Sequence, residues 1–351
     1  MNKKALIISL NFNPGHLSHL FASYNQLKEI GYRPQLLIHK KFNQFEELKS
    51  YNVIHDIPNI KMYSTLFFWF PSIQNLKIIL ISILKFNNTK IFYVYHEPFE
   101  SIKIYRKAGF NFVEIFRLFL ILIVSYLTCI FSTCVILPSK KAEKLYKNSL
   151  SYKLNNKILQ IPLLFINENN TICKNPENKK KYFSYIGTIA NDHAFKEFVN
   201  FIRQANEKKH NINFLIATKN RLERKFIDVN LNYPNLKIIH GKPLSNLEIN
   251  RCYSSSLLVW NAYHRTTQSG VMAKAFMFGA PIICLKKNRN EFTLENINTL
   301  FISKYCFKEI YSSYRFAYEN INFFEKKCSE SFQRIFHYSN YNNQIYSILK
   351  N

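Results

Sequence analysis

The chain has 351 residues, which is long enough for two domains with full cores. Its composition, 47% hydrophobic and 16% aromatic, excludes an intrinsically disordered chain. Forty-eight Lys and Arg against 22 Asp and Glu give a formal net charge of +26, which predicts an anionic partner such as nucleic acid, acidic lipid or a phosphorylated substrate. The seven cysteines include no Cys-x-x-Cys pair and no signal peptide is evident, so we expect a reducing cytoplasm without a disulfide framework.

The first predicted unit is a βαβ motif. Residues 4–9 form an apolar strand, a turn-rich loop follows, and a helix from about residue 20 to 30 leads to a second strand at 33–39. In such sheets ligands bind at the carboxyl ends of the strands. The loop at that end therefore supplies candidate ligand contacts, namely Pro14, Gly15, His16 and His19.

Metal ligands are sparse in the sequence. The chain has three aspartates and no Asp-x-Asp motif, so a metal-dependent nucleotide site built on paired carboxylates is not expected. His16 and His19 lack a third ligand, and we interpret them as solvent-edge or hydrogen-bonding residues. We predict no metal site.

Residues 61–86 combine an aromatic run, Leu66 to Phe70, with apolar residues at helical spacing and flanking lysines. A basic, aromatic, amphipathic element of this kind is typical of a membrane interface. A core helix is the alternative, and the sequence leaves both open. Residues 90–95 form the next strand and place His96 and Glu97 at its carboxyl end, where they either take part in acid–base chemistry or cap the following turn.

Residues 118–137 carry no charge, a length that fits a transmembrane helix. A strand at 133–137 before Pro138 leaves a helix too short to span, and Glu114, Arg117, Ser125, Thr128 and Ser132 share one helical stripe. We therefore favour a buried or membrane-touching helix over a true span. The lysine cluster at 140–157 suits an anionic membrane surface or a solvated helix face.

A polar linker at 166–181 precedes a second α/β series. Its last loop, helix and strand cover residues 268–285, where Ser269 is expected to cap the helix and Gly270 to allow close approach of a ligand. Free amides and the helix dipole at such a terminus favour a phosphate. From about residue 307 the pattern is helical to the end.

Five segments together resemble the GT-B glycosyltransferases, nearest to the family-4 type that makes bacterial surface polysaccharide and lipopolysaccharide. They cover the loop at 13–16, the strand at 135–139, the strand and loop at 183–189, the segment at 238–248, and Ser269 to Ile283. The resemblance implies two Rossmann-like parallel-sheet domains facing across a cleft, with a helical C-terminus. The implied boundaries are 1–165 for the acceptor-side domain, 166–181 for the linker, 182–325 for the nucleotide-sugar domain, and 326–351 for a helical segment packing back toward the first domain.

The resemblance also implies a function: metal-independent transfer of a hexosyl group from a UDP- or GDP-linked donor to a glycan or lipid-linked acceptor, without a cofactor. Two glutamates common in the family fall on Thr266 and Lys274, and the usual diphosphate-binding Arg and Lys fall on Thr188 and His193. Glu97 and His96 are the catalytic candidates. The donor and diphosphate candidates are Gly187, Thr188, His193, Lys219, Arg265, Ser269, Gly270 and Lys274.

The apolar segments and lysines of the first half predict a cytoplasmic protein held peripherally on the inner face of the plasma membrane. Nucleic acid is not expected as a partner, because Tyr and Phe do not interleave with Lys and Arg on a short basic stretch. Two alternatives stay open: a non-catalytic basic protein that binds membrane or nucleic acid, and a sugar-nucleotide epimerase with the GT-B fold.

Overall fold

The computed structural model describes residues 3–85, 89–169 and 180–350, with no account of the side chains of 83–85. The chain divides into two compact units. Unit 1 combines Met1–Ile166 with His337–Asn351, and unit 2 is Asn167–Phe336. Residues 170–179, most of the predicted linker, lie outside the described residues, as does Cys173.

Among the described residues, unit 1 contains a seven-stranded parallel sheet with the order β3-β2-β1-β4-β5-β6-β7. Its strands are Lys4–Ser9 (β1), Arg33–Ile38 (β2), Val53–Ile54 (β3), Thr65–Trp69 (β4), Lys90–Val94 (β5), Cys134–Leu137 (β6) and Ile158–Gln160 (β7). Ala5 to Ile8 of β1 are fully buried, because a parallel strand inside a sheet is covered on both faces.

The aromatic run from Leu66 to Phe70 corrects one prediction. Leu66 to Trp69 belong to the central strand β4 (Thr65–Trp69) and not to an amphipathic helix, Phe70 follows the strand, and the helix α2 starts only at Ile73. Pairing with β1 on one side and β5 on the other buries all five strand residues. A strand covered on both faces has a continuous apolar sequence, which alone does not distinguish it from a helix.

The helices of unit 1 lie mostly in the crossover connections between its parallel strands. They are Leu17–Glu29 (α1), Ile73–Lys85 (α2), Ile102–Lys107 (α3), Phe112–Phe131 (α4), Lys140–Lys147 (α5), Leu150–Leu154 (α6) and, at the C-terminus, Asn342–Lys350 (α13). Successive connections from β4 to β7 move in one direction along the sheet, so right-handed crossovers place α2, α4 and α6 on one face. In this layer α4 packs against both α2 and α6.

Helix α4 is longer than expected. A capping box starts it at Phe112: Asn111 accepts from the Glu114 amide, and the Glu114 carboxylate accepts from the Asn111 amide. Over its 20 residues it is long and apolar enough to cross a membrane, which the predicted shorter helix was not. Only 28% of its most apolar window is buried within the protein.

Unit 2 contains, among its described residues, a six-stranded parallel sheet with the order β10-β9-β8-β11-β12-β13. The strands are Tyr182–Ile186 (β8), Asn213–Ala217 (β9), Leu236–Ile239 (β10), Ser256–Trp260 (β11), Ile282–Leu285 (β12) and Thr299–Ile302 (β13). The helices are Phe195–Glu207 (α7), Arg224–Asn230 (α8), Asn246–Ser254 (α9), Gly270–Met277 (α10), Phe307–Glu319 (α11) and Ile321–Ile335 (α12).

The core of unit 2 is rich in aromatic side chains that surround its first strand. Phe183 contacts Phe198 and Phe201 of α7 edge to face, and the Trp260 ring lies 6.1 Å from it at centroid distance. Such contacts stabilise a core beyond the area they bury. The predicted two Rossmann-like parallel sheets and the helical C-terminus are both confirmed.

Candidate functional site

The sheet order of unit 2 reverses direction at β8, whose two neighbours are β9 and β11. Ligands of doubly wound sheets bind outside the carboxyl ends of the strands at such a switch point. The segments that leave β8, β9 and β11 at this edge contain most of the predicted donor residues. The geometry of those segments decides what the edge can bind.

The loop after β8 approaches the beginning of α10. Gly187 follows β8 directly and has φ 133°, a conformation that favours glycine. A Cβ built on it would lie 3.7 Å from Cγ2 of Val271, in the first turn of α10. Gly187 and Gly270, predicted from separate segments, therefore lie at one place.

The N-terminus of α10 differs from the prediction in one respect. The Ser269 side chain makes no capping hydrogen bond to the helix and instead hydrogen-bonds Tyr263, whose pKa is raised by burial. The prediction that Ser269 caps α10 with its hydroxyl is therefore wrong. Since the first amides of a helix have no intrahelical partner, the start of α10 keeps the capacity to bind an anion.

Polar side chains that follow β11 are unusually buried. Six of them are between 1% and 8% exposed: Asn261, Arg265, Thr266, Thr267, Gln268 and Ser269. Within the described part of the chain, Oδ1 of Asn261 is buried without a hydrogen-bond partner. An unsatisfied buried acceptor costs about 1–3 kcal/mol, and this atom at the carboxyl end of a central strand has the capacity to accept a hydrogen bond from a ligand.

Arg265, His193 and Thr188 form a connected group around Asp192. Arg265 Nη1 lies 3.5 Å from Asp192 Oδ2, and His193 Nε2 lies 3.7 Å from Asp192 Oδ1. His193 Nδ1 is 2.6 Å from the carbonyl oxygen of Thr188, and its ring stacks on Tyr263. The structure thus brings together three predicted residues, while Asp192 was not predicted as a partner.

Lys219 follows β9 at the same edge of the sheet. Its neighbour Asn220 accepts from the Ile189 amide at 2.8 Å and from the Thr218 hydroxyl at 3.1 Å, which ties the β9 loop to the β8 loop. Desolvation by neighbouring atoms lowers the pKa of Lys219. Sequence reasoning missed Asn220, because a polar residue between two basic ones gives no specific signal.

Lys274 lies inside unit 2 within α10. Its amino group contacts the Glu168 carboxylate and the amide oxygens of Asn246 and Asn250. A role for Lys274 in holding a diphosphate stays a prediction. None of its three partners was expected from the sequence, because Glu168 lies 106 positions away.

The sheet of unit 1 has its own switch point between β1 and β4. Two buried polar atoms lie near the carboxyl ends of these strands, Oγ of Ser9 and Nε1 of Trp69, and neither has a hydrogen-bond partner within the described chain. The predicted loop with Pro14 and Gly15 follows β1 at this edge, and Asn13 accepts a hydrogen bond from the Gly15 amide. Sequence reasoning missed Ser9 and Trp69 because both belong to apolar strands.

Phe70 connects the histidines of this edge. The His16 ring stacks on Phe70 at a centroid distance of 3.3 Å, and the His96 ring meets it edge to face at 5.8 Å. Phe70 has φ 64°, a strained conformation for a bulky residue. Strained backbone of this kind clusters at functional sites.

His19 is buried and turned into unit 1. Its ring stacks parallel to Trp69, and Nδ1 lies 3.0 Å from the carbonyl oxygen of Leu164. His16 is half-buried and hydrogen-bonds the Asn13 side chain. Of the two histidines, His16 is thus the more accessible to a ligand.

Two glutamates follow β5. Glu97 is exposed and next to the half-buried His96, whereas Glu100 is buried and its Oε1 lies 3.0 Å from Nζ of Lys141. Sequence reasoning chose Glu97 and missed Glu100, because the ion pair depends on α5 lying close to this loop. Over the described residues, no group of three or more His, Cys, Asp or Glu side chains could hold a metal ion.

Two parallel sheets, each open at a switch point and joined in this order, define the GT-B fold of nucleotide-sugar glycosyltransferases. HepE of Anabaena, solved in complex with UDP-glucose, is similar with a TM-score of 0.71 and 12% identity, covering 99% of both chains. Sucrose-phosphate synthase from Thermosynechococcus elongatus has a TM-score of 0.72 and 12% identity over 99% of this chain and 98% of that chain. At such identities the likeness establishes the fold.

A third similar structure comes from Listeria monocytogenes and is described as a UDP-N-acetylglucosamine 2-epimerase. Its TM-score is 0.62 at 11% identity, covering 100% of this chain and 96% of that chain. No protein-family profile matches the chain, and no curated protein sequence matches it.

Proposed function

We propose that this protein is a metal-independent glycosyltransferase that moves a hexosyl group from a UDP- or GDP-linked sugar to a glycan or lipid-linked acceptor. We place it in bacterial cell-surface polysaccharide or lipopolysaccharide synthesis, on the inner face of the plasma membrane. Support for the donor class comes from the fold shared with HepE, which was solved with UDP-glucose. The unpartnered Oδ1 of Asn261 beside the β8 strand end carries the proposal.

The donor side lies in unit 2. The Gly187 loop lies against the first turn of α10, so that one diphosphate can contact backbone amides of both segments. Oδ1 of Asn261 accepts a hydrogen bond from a hydroxyl or imide group of the donor. In this arrangement the ligand satisfies a buried acceptor that the free protein leaves without a partner.

Transfer of the sugar leaves a nucleoside diphosphate, on which negative charge develops in the transition state. Lys219 supplies positive charge at this edge of the sheet, Arg265 supplies a charge that Asp192 partly neutralises, and the α10 dipole adds to both. With cations and amides in that role, the reaction does not require a divalent metal. Lys274 acts less directly, because its amino group already contacts Glu168.

The acceptor side lies in unit 1. Glu97, exposed after β5, acts as the general base if the enzyme inverts the anomeric centre, and as a positioning group if it retains it. His96, Phe70 and His16 form a continuous ring surface beside it, against which an acceptor sugar packs.

The test is binding of nucleotides measured by thermal unfolding and calorimetry. UDP or GDP at about 100 times its Kd should stabilise the protein by about 2.7 kcal/mol, since the ligand binds the folded state only. Asn261→Ala should weaken this binding at least about tenfold. Each 1.4 kcal/mol of lost interaction corresponds to that factor.

Asn235 provides a matched control. Its Oδ1 also lacks a partner among the described residues, but it precedes β10 at the amino-terminal edge of the same sheet. Asn235→Ala should leave nucleotide affinity unchanged. If the wild type and Asn261→Ala bind the nucleotide with equal affinity, Asn261 is not part of the site. If the wild type binds no nucleotide sugar, the proposed function is wrong.

An epimerase is the second candidate, because the Listeria structure has the same fold. The reaction products distinguish a transferase from an epimerase. A transferase releases free nucleoside diphosphate only when an acceptor is present, whereas an epimerase converts one nucleotide sugar into another without releasing the diphosphate.

A further inference from the structure

Helix α4 has an inverted amphipathic pattern. Its polar side chains Ser125 and Thr128 point inward and are fully buried, where Ser125 accepts a hydrogen bond from Tyr93. The Thr128 hydroxyl donates a hydrogen bond to the Val124 carbonyl oxygen of the same helix. Ser125, Thr128 and Ser132 of the weakly polar stripe, which marks the outer face of an ordinary soluble helix, thus face inward here, whereas Arg117 near the start of the stripe is exposed.

The opposite face of α4 is apolar and exposed. At 100° per residue, six large side chains fall within an arc of about 120°. They form the outer stripe, and each is between 44% and 75% exposed: Phe112, Val113, Phe116, Phe119, Leu120 and Ile123. Large apolar side chains exposed side by side on one helix face mark an interaction site.

Neighbouring helices of the same layer extend this surface. Helices α2 and α6 both pack against α4, and each exposes large aliphatic side chains. These are Ile73 and Leu80 in α2, and Leu150 and Leu154 in α6. The surface therefore belongs to a helical layer and not to a single helix.

The positive charge of the residues around these helices indicates which partner the apolar surface binds. Between residues 102 and 157 the chain has ten Lys and Arg against two Glu. Arg106, Lys107 and Arg117 are exposed and are close to the outer stripe in sequence. Lys144 on α5 and Lys153 on α6 are exposed as well. A second copy of this chain would set like charges against each other, whereas an anionic bilayer complements both the apolar stripe and its basic border.

We infer that the outer stripe is a membrane-docking surface that lies in the headgroup region of an anionic bilayer. The helix lies along the membrane and does not cross it, because Ser125, Thr128 and Cys129 are buried against unit 1 and Asn155 donates to the carbonyl oxygens of Cys129 and Ser132. Phe116 and Phe119 enter the acyl boundary, and the surrounding cations contact lipid phosphates. This inference deepens the proposed function by presenting unit 1 to a lipid-linked acceptor.

The test is sedimentation of the full chain with vesicles of phosphatidylcholine alone or mixed with phosphatidylglycerol. The wild type should bind the anionic vesicles, and added salt should weaken the binding because it screens the cations. The double variant Phe116→Ser with Phe119→Ser should bind at least about tenfold more weakly, since it removes apolar area from the bilayer. These positions are exposed, so the variant should unfold at the wild-type temperature.

A matched control comes from unit 2. Phe316 and Phe323 are 39% and 44% exposed on α11 and α12, and their replacement by serine should leave vesicle binding unchanged. A second measurement is the fluorescence of Phe116→Trp, which should shift to shorter wavelength on anionic vesicles and be quenched by lipids brominated on their acyl chains.

Absence of vesicle binding by the wild type would overturn the inference, as would wild-type binding by the double variant. A wild-type dimer that the double variant turns into a monomer would assign the stripe to self-association instead. UDP binding is measured on the same preparations. The outer stripe belongs to unit 1 and the donor site to unit 2. A wild type that binds UDP but not vesicles therefore contradicts the membrane surface alone, and a wild type that binds vesicles but not UDP contradicts only the proposed function.

Discussion

Lys274 and Glu168 form an ion pair inside unit 2, with Nζ 2.5 Å from Oε2. Their side chains are 8% and 2% exposed. Asn246 and Asn250 both donate to the same carboxylate oxygen and accept from the same amino group. The position where the GT-B resemblance has a glutamate thus carries a cation whose carboxylate partner comes from elsewhere in the chain.

The first prediction concerns this pair. Lys274→Met should reduce the free energy of unfolding by about 3–5 kcal/mol, because it leaves the Glu168 carboxylate buried without its cation. Adding Glu168→Gln should recover part of that loss. Urea unfolding of Lys274→Met, of Glu168→Gln and of the double variant gives the coupling energy between the two side chains. A coupling energy near zero would contradict the pairing.

The double variant also decides whether Lys274 contacts the donor. If its role is confined to the ion pair, the refolded double variant should bind UDP as the wild type does. If Lys274 holds a phosphate oxygen as well, the double variant should be stable yet lose affinity.

The second prediction concerns the pH dependence of stability. Burial lowers the pKa of Lys180 from 10.5 to about 8, and its amino group donates to the Phe278 and Ser256 carbonyl oxygens. Between these pH values the unfolded chain holds a proton that the folded chain lacks, so the Lys180 contribution to stability rises with pH. Below pH 8 the folded chain carries the full cost of the buried charge.

The measurement compares wild type with Lys180→Met by urea unfolding across this pH range. The wild type should gain stability relative to the variant as pH increases from about 8 to 10.5. Lys181→Met, at the exposed neighbouring position, is the control and should give a constant difference. A constant difference for Lys180→Met too would contradict the lowered pKa.

The third prediction concerns the contact between α10 and α12. Gly279 has φ 68°, and a Cβ there would lie 2.9 Å from the backbone oxygen of Glu325 and 3.0 Å from its Cα. Gly279→Ala should therefore destabilise unit 2 by more than about 2 kcal/mol, since strain and a backbone clash add.

Gly241 is the control for backbone strain alone. It has φ 85°, and no atom lies within 4 Å of the position that a Cβ would take, so Gly241→Ala should cost only about 1 kcal/mol. Similar unfolding midpoints for both variants would show that Glu325 moves aside without cost.

The fourth prediction concerns turnover. Under the proposed function, Glu97→Gln should lower kcat by about 10²–10⁴-fold in an inverting reaction, because it removes the base and keeps the shape. Glu46→Gln replaces an exposed glutamate that pairs with Lys49 at the surface, and it should retain activity. Diphosphate release in the presence of acceptor measures both, and near-normal turnover of Glu97→Gln would exclude it as base.

Most strands of both sheets could be predicted, because a strand buried on two faces is an apolar run bounded by turn residues. The strand β1 matches its predicted limits, and β2, β5 and β6 differ from theirs by one residue each. β4 was missed because its aromatic run was joined to the next helix, although Pro71 and Ser72 between them mark a break. The early start of α4 also had a signal, the Asn111 and Glu114 capping box.

The site was less predictable than the fold. Spacing near the strand ends located Gly187 and Gly270, because chain order and sheet topology bring those loops together. It did not locate Asn261 as the buried acceptor, Asp192 as the partner of Arg265, or Glu168 as the partner of Lys274. Such pairings depend on tertiary contacts between distant segments, which local pattern does not encode.

Residues 337–351 belong to unit 1 although the whole of unit 2 precedes them in the chain. Ile345 and Leu349 are buried there, and Asn342 donates to the Glu29 carboxylate at 2.8 Å. Unit 1 is therefore discontinuous in sequence, and α13 can pack onto it only after all of unit 2 has been synthesised. Translation that stops near residue 336 would consequently leave unit 1 without the buried Ile345 and Leu349 and without the hydrogen bond from Asn342 to Glu29.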